Sequence, residues 1–438
     1  METKETESLS NSANTYEQKL AKINLIFAYI FMLMPAISLV FSLVVKNIKM
    51  LTVYLFIMVF YSAFLLMKFI LEVINRKKFK ITFNFQTIVL MISFVWLTIN
   101  TIINMYSIVD TLFVYGYFLL IYNFVTIDSK HTEKIITFFI IQVFVSVILG
   151  LIDPFGKVFT IFGNNEPLGL QFHHFNYAGY VVALVMVLTL EKIVKETDIK
   201  KVIFWFVVFF TIGTYMLLQG SFVPITVMFV SILTLMIIEW VRNKKTPWKI
   251  IISFVILIPM IFVVDFWPNV ENIRVGSSYN YFLEAIDVVD RLLGTDMLPK
   301  LTGAMGDVVE SIPGADGWER NDLWAGSINT IFESFHHAVL GQGSGTYVVY
   351  RPHNLALGFL IEYGIVGFAL FVLMLVAIVK AFIKSKNKWG SYFKFSSIVA
   401  MLLCYTFGAQ VPYSFMFFIM FAVMFYNLFK NEGKEKTH

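Results

Sequence analysis

Arginine and histidine residues lie close in sequence to the start of a long apolar segment in the last third of the chain. Arg351 and His353 directly precede the apolar segment that begins at Asn354, and Arg320 lies about thirty residues upstream. The planar guanidinium group of arginine matches phosphate oxygens, and the free amides at a helix start add partial positive charge. These residues therefore predict an anion site, and a diphosphate is a ligand that would fit it.

The side chains next to this anion site have two possible uses. His353 could accept a proton from an attacking hydroxyl group, or it could hydrogen-bond a backbone carbonyl at the helix start. Asn354 could orient the histidine ring or cap the helix. Glu362, about 12 Å farther along a helix axis, could hold Arg351 or Arg320 in place.

Glycines lie between the two arginines, in the sequence GQGSGTY. Gly341, Gly343 and Gly345 can adopt positive φ and let the backbone approach a ligand closely, so this turn could fold over a diphosphate. The alternative is an ordinary turn between two helices. The position between Arg320 and Arg351 favours the ligand-binding interpretation.

A second group of polar residues occurs in the sequence HHFNYAGY, which contains His173 and Asn176. Both are candidates for substrate binding, and Lys157 is the basic residue nearest to them. The alternative is a belt of aromatic and polar residues at a membrane surface.

The composition indicates what must position these groups. The chain of 438 residues is 58% hydrophobic and 14% charged, which is typical of an integral membrane protein. A helix that crosses the hydrocarbon core needs about 20 apolar residues, and about twelve such windows can be found. They begin near Ile23, Leu51, Thr82, Ile108, Ile135, Asn176, Val202, Phe222, Lys249, Asn354, Phe393 and Pro412.

The distribution of lysine and arginine predicts the orientation of these spans. Alternate connections and both tails hold 25 of the 34 basic residues, whereas the short connections on the other side hold 3. By the positive-inside rule, both termini are cytoplasmic. The net charge of +5 is explained by topology and requires no nucleic acid partner.

This topology predicts one large outer segment. The predicted layout is a cytoplasmic tail (1–22), nine spans (23–265), an extracytoplasmic cap (266–353), three spans (354–430) and a second tail (431–438). Within the cap, helical periodicity predicts one helix over 280–293. A second is predicted over 322–341, capped by Asp322 and ended by Gly341, and both helices would lie along the membrane surface or pack on the bundle.

Several classes of function are disfavoured by what the sequence lacks. It contains no phosphate-binding loop of the Walker type, no Asp-x-Asp pair and no cluster with metal-ligand spacing, so we expect neither metal nor cofactor. Cys404 is the only cysteine, so no internal disulfide can form. A transporter is the weaker interpretation, because the spans show no internal repeat, no carboxylate at mid-depth and no sign of a broken helix.

The residues from Arg320 to Phe368 resemble the signature of the bacterial O-antigen ligase and Wzy-type polysaccharide polymerase family. The matching sequence is RNDLWAGSINTIFESFHHAVLGQGSGTYVVYRPHNLALGFLIEYGIVGF. The positions that carry the resemblance are Arg320, Trp324, Gly341, Gly343, Gly345, His353, Asn354, Glu362, Gly364 and Gly367.

The resemblance implies a helical fold of the lipid-linked-sugar glycosyltransferase type, called GT-C-like. It implies transfer of glycan from undecaprenyl diphosphate to a sugar hydroxyl at the outer face of the bacterial cytoplasmic membrane, with inversion and without metal. Arg320 and His353 would be functional, with Arg351 adjacent. The chain lacks the arginines that the family often has around its sixth and seventh helices, so a diphosphate contact from that region would fall to Lys157 or His173.

The acceptor remains open at this stage. A polymerase of capsule, O-antigen or wall glycan, assisted by a flippase and a chain-length regulator, is the favoured interpretation, and a ligase that uses a different acceptor is the nearest alternative. A lipid-linked-sugar transporter or flippase is an alternative from a different class, and a noncatalytic assembly subunit is a third.

Overall fold

The chain is helical wherever its structure is described. The computed structural model describes residues 18–30, 33, 50–75, 85–104, 129–152, 175–219, 222–243, 247–265, 317–343, 354–384, 395–396, 399–400 and 402–403. These ranges contain α-helices and short connections but no β-strand. The all-α prediction is therefore confirmed for this part of the chain.

Ten helices, numbered here α1 to α10, can be delimited within these ranges. Residues 18–30 are also helical and begin inside the segment predicted as a tail. The ten are α1 (Met50–Asn75), α2 (Phe85–Asn104), α3 (Ser129–Ile152), α4 (Phe175–Lys195), α5 (Ile199–Gln219), α6 (Phe222–Asn243), α7 (Trp248–Asp265), α8 (Gly317–Phe332), α9 (Phe335–Leu340) and α10 (Leu355–Lys384).

Two of the described helices are long and apolar enough to cross a membrane. They are the segments Ile199–Leu217 of α5 and Leu355–Ala377 of α10. Apolar segments shorter than 18 residues occur in α1, α2, α6 and α7. These properties are compatible with membrane association.

Helix α4 forms the centre of the described core. Its side chains from Val181 to Leu190 are all buried, including Val185 and Met186, which are fully buried. A helix that is apolar on all sides is stable only when neighbours surround it. Helices α5, α6, α3 and α7 supply those neighbours.

The peripheral helices present apolar side chains outward. On α1, Phe56, Val59 and Phe60 are each more than half exposed, and Ile74 is 68% exposed. Soluble monomers rarely expose contiguous apolar areas of this kind. Such a surface is suited to contact with lipid.

Lys249, in the first turn of α7, binds the C-terminal end of α4. Its Nζ donates to the backbone oxygens of Ile193 at 3.0 Å, Val194 at 3.3 Å and Glu196 at 2.5 Å. A helix end leaves carbonyl groups without intrahelical partners and carries partial negative charge, and an ammonium group satisfies both. A lysine counted above as a topological signal therefore also joins two helices.

We expect Lys249→Met to destabilise the protein by about 1–3 kcal/mol, because three backbone carbonyls at the C-terminal end of α4 lose a charged hydrogen-bond donor. Thermal unfolding of the purified chain in lipid nanodiscs would measure the change. Lys201→Met is the matched control. The Lys201 side chain is 64% exposed and its Nζ lies 3.9 Å from Glu196 Oε2, so its removal should change stability by less than about 1 kcal/mol. Equal midpoints for the two variants would contradict the proposed role of Lys249.

One ion pair and one cation–ring contact join the ends of helices that lie far apart in sequence. Lys192 at the end of α4 lies 3.0 Å from Glu133 at the start of α3. Lys380, near the end of α10, lies 4.9 Å from the centre of the Phe85 ring at the start of α2. Each pair of helices is therefore antiparallel, and each contact joins two segments that the charge distribution assigns to the same side.

The structure corrects two expectations about the last third of the chain. The helix predicted over 322–341 is divided into α8 and α9, and Asp322 lies inside α8 because the helix already begins at Gly317. The span predicted to run unbroken from Asn354 is also interrupted, since Gly364 has φ 64° and ψ −173° within α10. An L-residue helix cannot continue through that conformation.

Candidate functional site

The glycine-rich turn is fixed at its beginning by helix capping. Ser334 caps α9, and its side chain accepts a hydrogen bond from the backbone N–H of His337 at 3.0 Å. Gly341 ends α9 with φ 76°, as predicted, and its N–H donates to the carbonyl of His337 at 2.9 Å. Ser334 was not predicted as a cap, although serine directly before a helix is a common N-cap residue.

The residues after Gly341 bind the break in α10. The N–H of Gln342 donates to the carbonyl of Ile361 at 2.7 Å, and the N–H of Gly343 donates to the carbonyl of Glu362 at 3.0 Å. The break leaves carbonyls at the end of the first half of α10 without helical partners. We call this contact between 341–343 and 361–364 the interlocked turn.

The interlocked turn requires glycine on both sides. A Cβ on Gly341 would lie 2.4 Å from the carbonyl carbon and oxygen of Glu362, and one on Gly364 would lie 2.3 Å from the carbonyl oxygen of Val339. Gly343 also has positive φ, 91°. Positive φ was predicted for Gly341 and Gly343 and is observed at both. The Cβ position of Gly341 faces the backbone of α10, and its role toward a ligand stays a prediction.

Helix α2 contributes two side chains to the same place. The Nδ2 of Asn100 donates to the carbonyl of Leu340 and, at 3.4 Å, to that of Glu362. The Nε1 of Trp96 donates to the carbonyl of Tyr363 at 3.3 Å. Asn100 is 2% exposed, so its amide group lies away from solvent. We call Trp96 and Asn100 the α2 clamp.

Asn354 caps α10. Its Oδ1 accepts from the N–H of Ala356 at 2.9 Å and from the N–H of Leu357 at 3.2 Å. Of the two uses that the sequence left open, the structure has the cap. Glu362, eight residues farther on, is fully buried beside the break, which places this carboxyl group inside the protein.

The helix that carries Arg320 packs on the same unit. Helix α8 contacts both α9 and α10, and its inner face includes Ser327, fully buried, and Ile331, 2% exposed. The backbone of Arg320 lies in the first turns of α8, and its side chain is outside the described residues. The structure therefore brings together the helix of Arg320, the glycine turn, Asn354 and Glu362.

The remaining candidates lie outside the described residues. These are Arg351, His353, Gly345 and His173, so the distance between Arg320 and Arg351 stays untested. The backbone of Asn176 is in the first turn of α4, and its side chain is not described.

Two histidines of α9 form polar contacts with neighbouring side chains. His336 Nε2 lies 3.1 Å from Asn104 Oδ1 at the end of α2. His337 Nδ1 lies 3.3 Å from Gln342 Nε2 and 3.4 Å from a carboxylate oxygen of Glu333. These contacts fasten α9 to its neighbours, and no trio of His, Cys, Asp or Glu in the described part of the chain could hold a metal ion.

Comparison with known proteins gives no match, whether with protein-family models, curated proteins or solved structures.

Proposed function

We propose that this chain is a polytopic bacterial membrane protein of the GT-C-like type, with about twelve spans. It transfers glycan from undecaprenyl diphosphate to an acceptor sugar hydroxyl and builds a cell-surface polysaccharide. The observation that carries the proposal is that described residues of the Arg320–Phe368 motif, separated by up to some forty positions, meet in one packed unit on α10.

The proposed chemistry is an inverting displacement. The acceptor oxygen attacks the anomeric carbon, and the bond from that carbon to the diphosphate oxygen breaks with its electron pair leaving on the diphosphate. Arg320, Arg351 and the positive end of the α10 helix dipole stabilise the departing negative charge. His353 accepts the proton of the attacking hydroxyl.

The surroundings suit a lipid-linked donor. The apolar outer faces of α1 and α5 fit the bilayer, with Phe56, Phe60 and Val207 each more than half exposed. The basic residues place both termini in the cytoplasm and the motif at the outer face of the cytoplasmic membrane. A flippase would supply the donor there, and a chain-length regulator would act on the product.

Reconstitution tests the proposal. The purified chain in liposomes would receive a synthetic polyprenyl diphosphate that carries one oligosaccharide repeat, without added metal. We expect a ladder of products that differ by one repeat, which is the result of polymerisation. A single transfer to a non-repeat acceptor would establish the ligase instead, and no new glycosidic bond would overturn both.

A transporter is kept as a second candidate because of one observation. Discontinuous helices are common at transporter binding sites, and α10 is interrupted at Gly364 next to the buried Glu362. In the same liposomes, movement of a fluorescent lipid-linked oligosaccharide across the bilayer without a new glycosidic bond would identify this function.

A further inference from the structure

We propose that Asn100 of α2 is a positioning residue for the proposed active site, acting through the first half of α10. This inference rests on the proposed function. Asn100 lies far in sequence from the motif, and the resemblance assigns no role to it. The carrying observation is that its buried amide joins the end of α9 to the end of that half-helix.

The first half of α10 is a short helical rod whose start packs on the core through Leu355 and whose far end is held by hydrogen bonds from other elements. It runs from Leu355 to Tyr363, about 13 Å at 1.5 Å per residue. Asn354 caps its start, directly after His353. Its other end meets the α2 clamp and the interlocked turn.

The carbonyls at that far end are the points of attachment. Those of Ile361, Glu362 and Tyr363 all accept hydrogen bonds from outside α10. The carbonyl of Glu362 accepts from both Gly343 and Asn100, so the asparagine holds the turn and the rod at one point. An asparagine suits this position because its Nδ2 carries two hydrogens, one for each carbonyl.

Loss of the α2 clamp would displace the other end of the rod, at the start of α10. A tilt of about 5° over about 13 Å moves the start of α10 by about 1 Å. A displacement of about 1 Å in a catalytic group can reduce a rate by about 100-fold. Asn100 therefore affects the turnover rate without touching the substrate.

The first measurement is independent of activity. Hydrogen exchange of the full-length protein in nanodiscs would be followed at the amides of Gln342 and Gly343. We expect Asn100→Leu to speed their exchange by about tenfold or more, because the turn loses its link to α2. The matched control is Ser93→Ala: Ser93 is buried on the same helix, and its hydroxyl bonds the carbonyl of Val89 within α2 at 2.8 Å, so exchange should match wild type.

The second measurement uses the transfer assay. We expect Asn100→Leu to lower kcat by about 10- to 100-fold per folded molecule and to change KM for the lipid donor by less than about threefold. A purely structural asparagine would lower the yield of folded protein and leave kcat of the remaining molecules unchanged. That result, or unchanged exchange at Gln342 and Gly343, would overturn the inference.

A pH profile distinguishes the loss of a hydrogen bond at position 100 from a change in side-chain volume, because the volume effect does not depend on pH. Asn100→Asp places a carboxylate against two carbonyls, but its protonated form can donate one hydrogen bond. Its kcat relative to wild type at the same pH should therefore rise as pH falls, whereas that of Asn100→Leu should not. A flat ratio for Asn100→Asp would count against the hydrogen bond as the cause.

Two outcomes keep this inference separate from the proposed function. If wild type transfers no glycan, the proposed function fails, and the positioning role fails with it even if exchange shows the clamp to be real. If Asn100→Leu does not fold, Trp96→Phe replaces it, because it removes the Nε1 bond to Tyr363 and retains an aromatic ring at this position. Trp96→Phe should give the same two effects at smaller size, and wild-type values would overturn the inference.

Discussion

Arg320→Ala should lower glycan transfer by about 100- to 1,000-fold while the protein stays folded in the membrane. The reason is electrostatic. Under the proposed function, the Arg320 guanidinium group stabilises the negative charge of the leaving diphosphate, and the removal of one such hydrogen-bond donor from a preorganised site costs about this factor. The measurement is the rate of product formation in liposomes, normalised to the amount of folded protein. Full activity of Arg320→Ala would remove this residue from the mechanism.

Two further variants show whether the effect comes from the guanidinium group. Arg320→Lys keeps the positive charge but loses the planar fork that matches phosphate oxygens, so we expect an intermediate rate. Lys201→Met removes a highly exposed positive charge at the end of the bundle predicted to face the cytoplasm and should transfer at the wild-type rate. If Lys201→Met lowered the transfer rate as much as Arg320→Ala, the effect would come from the total charge of the protein and not from position 320.

Gly364→Ala should prevent stable folding or cost more than about 3 kcal/mol. The added Cβ would lie 2.3 Å from the carbonyl oxygen of Val339 and 2.6 Å from the backbone nitrogen of Gly341. Both obstacles are backbone atoms and cannot rotate away, and the φ of 64° is itself unfavourable for alanine. Size-exclusion profile and thermal midpoint in detergent would measure the loss.

The control for this variant is Gly326→Ala. Gly326 lies in the middle of α8, is partly exposed and lacks positive φ. Alanine is favoured over glycine in a helix by up to about 1 kcal/mol, so this variant should be neutral or slightly more stable. A thermal midpoint for Gly364→Ala equal to that of Gly326→Ala would show that the interlocked turn does not form.

The starts of helices could be predicted where a helix coincides with one long apolar segment of the sequence. Starts expected at Leu51, Phe222 and Lys249 agree with the observed ones to within one residue. Helix α3 instead begins at Ser129, ahead of the predicted Ile135. The first turns of α3 are polar, so the apolar window begins only after them. Glu133 in these turns pairs with Lys192 of α4, and the hydrophobic pattern of a single segment does not reveal such a contact.

The site was predictable only in its local parts. Gly341 was predicted to end its helix, and the cap is one of the two uses that the sequence leaves open for Asn354; both roles depend on near neighbours in sequence. The break at Gly364 depends on contacts across about twenty residues, and the contribution of Asn100 depends on a contact across more than two hundred. A glycine in an apolar span is compatible with an unbroken helix, so only the tertiary contact with α9 distinguishes the two.

The interlocked turn brings the two ends of one chain segment onto a common support. Residues 344–353, which include Arg351 and His353, leave this support at Gly343 and return to α10 at Asn354. A connection with both ends anchored can change length at little entropic cost, about 0.6 kcal/mol per doubling. Under the proposed function, this segment could vary with the sugar that is accepted while the helices that anchor it stay the same, so that substrate range could evolve independently of the membrane scaffold.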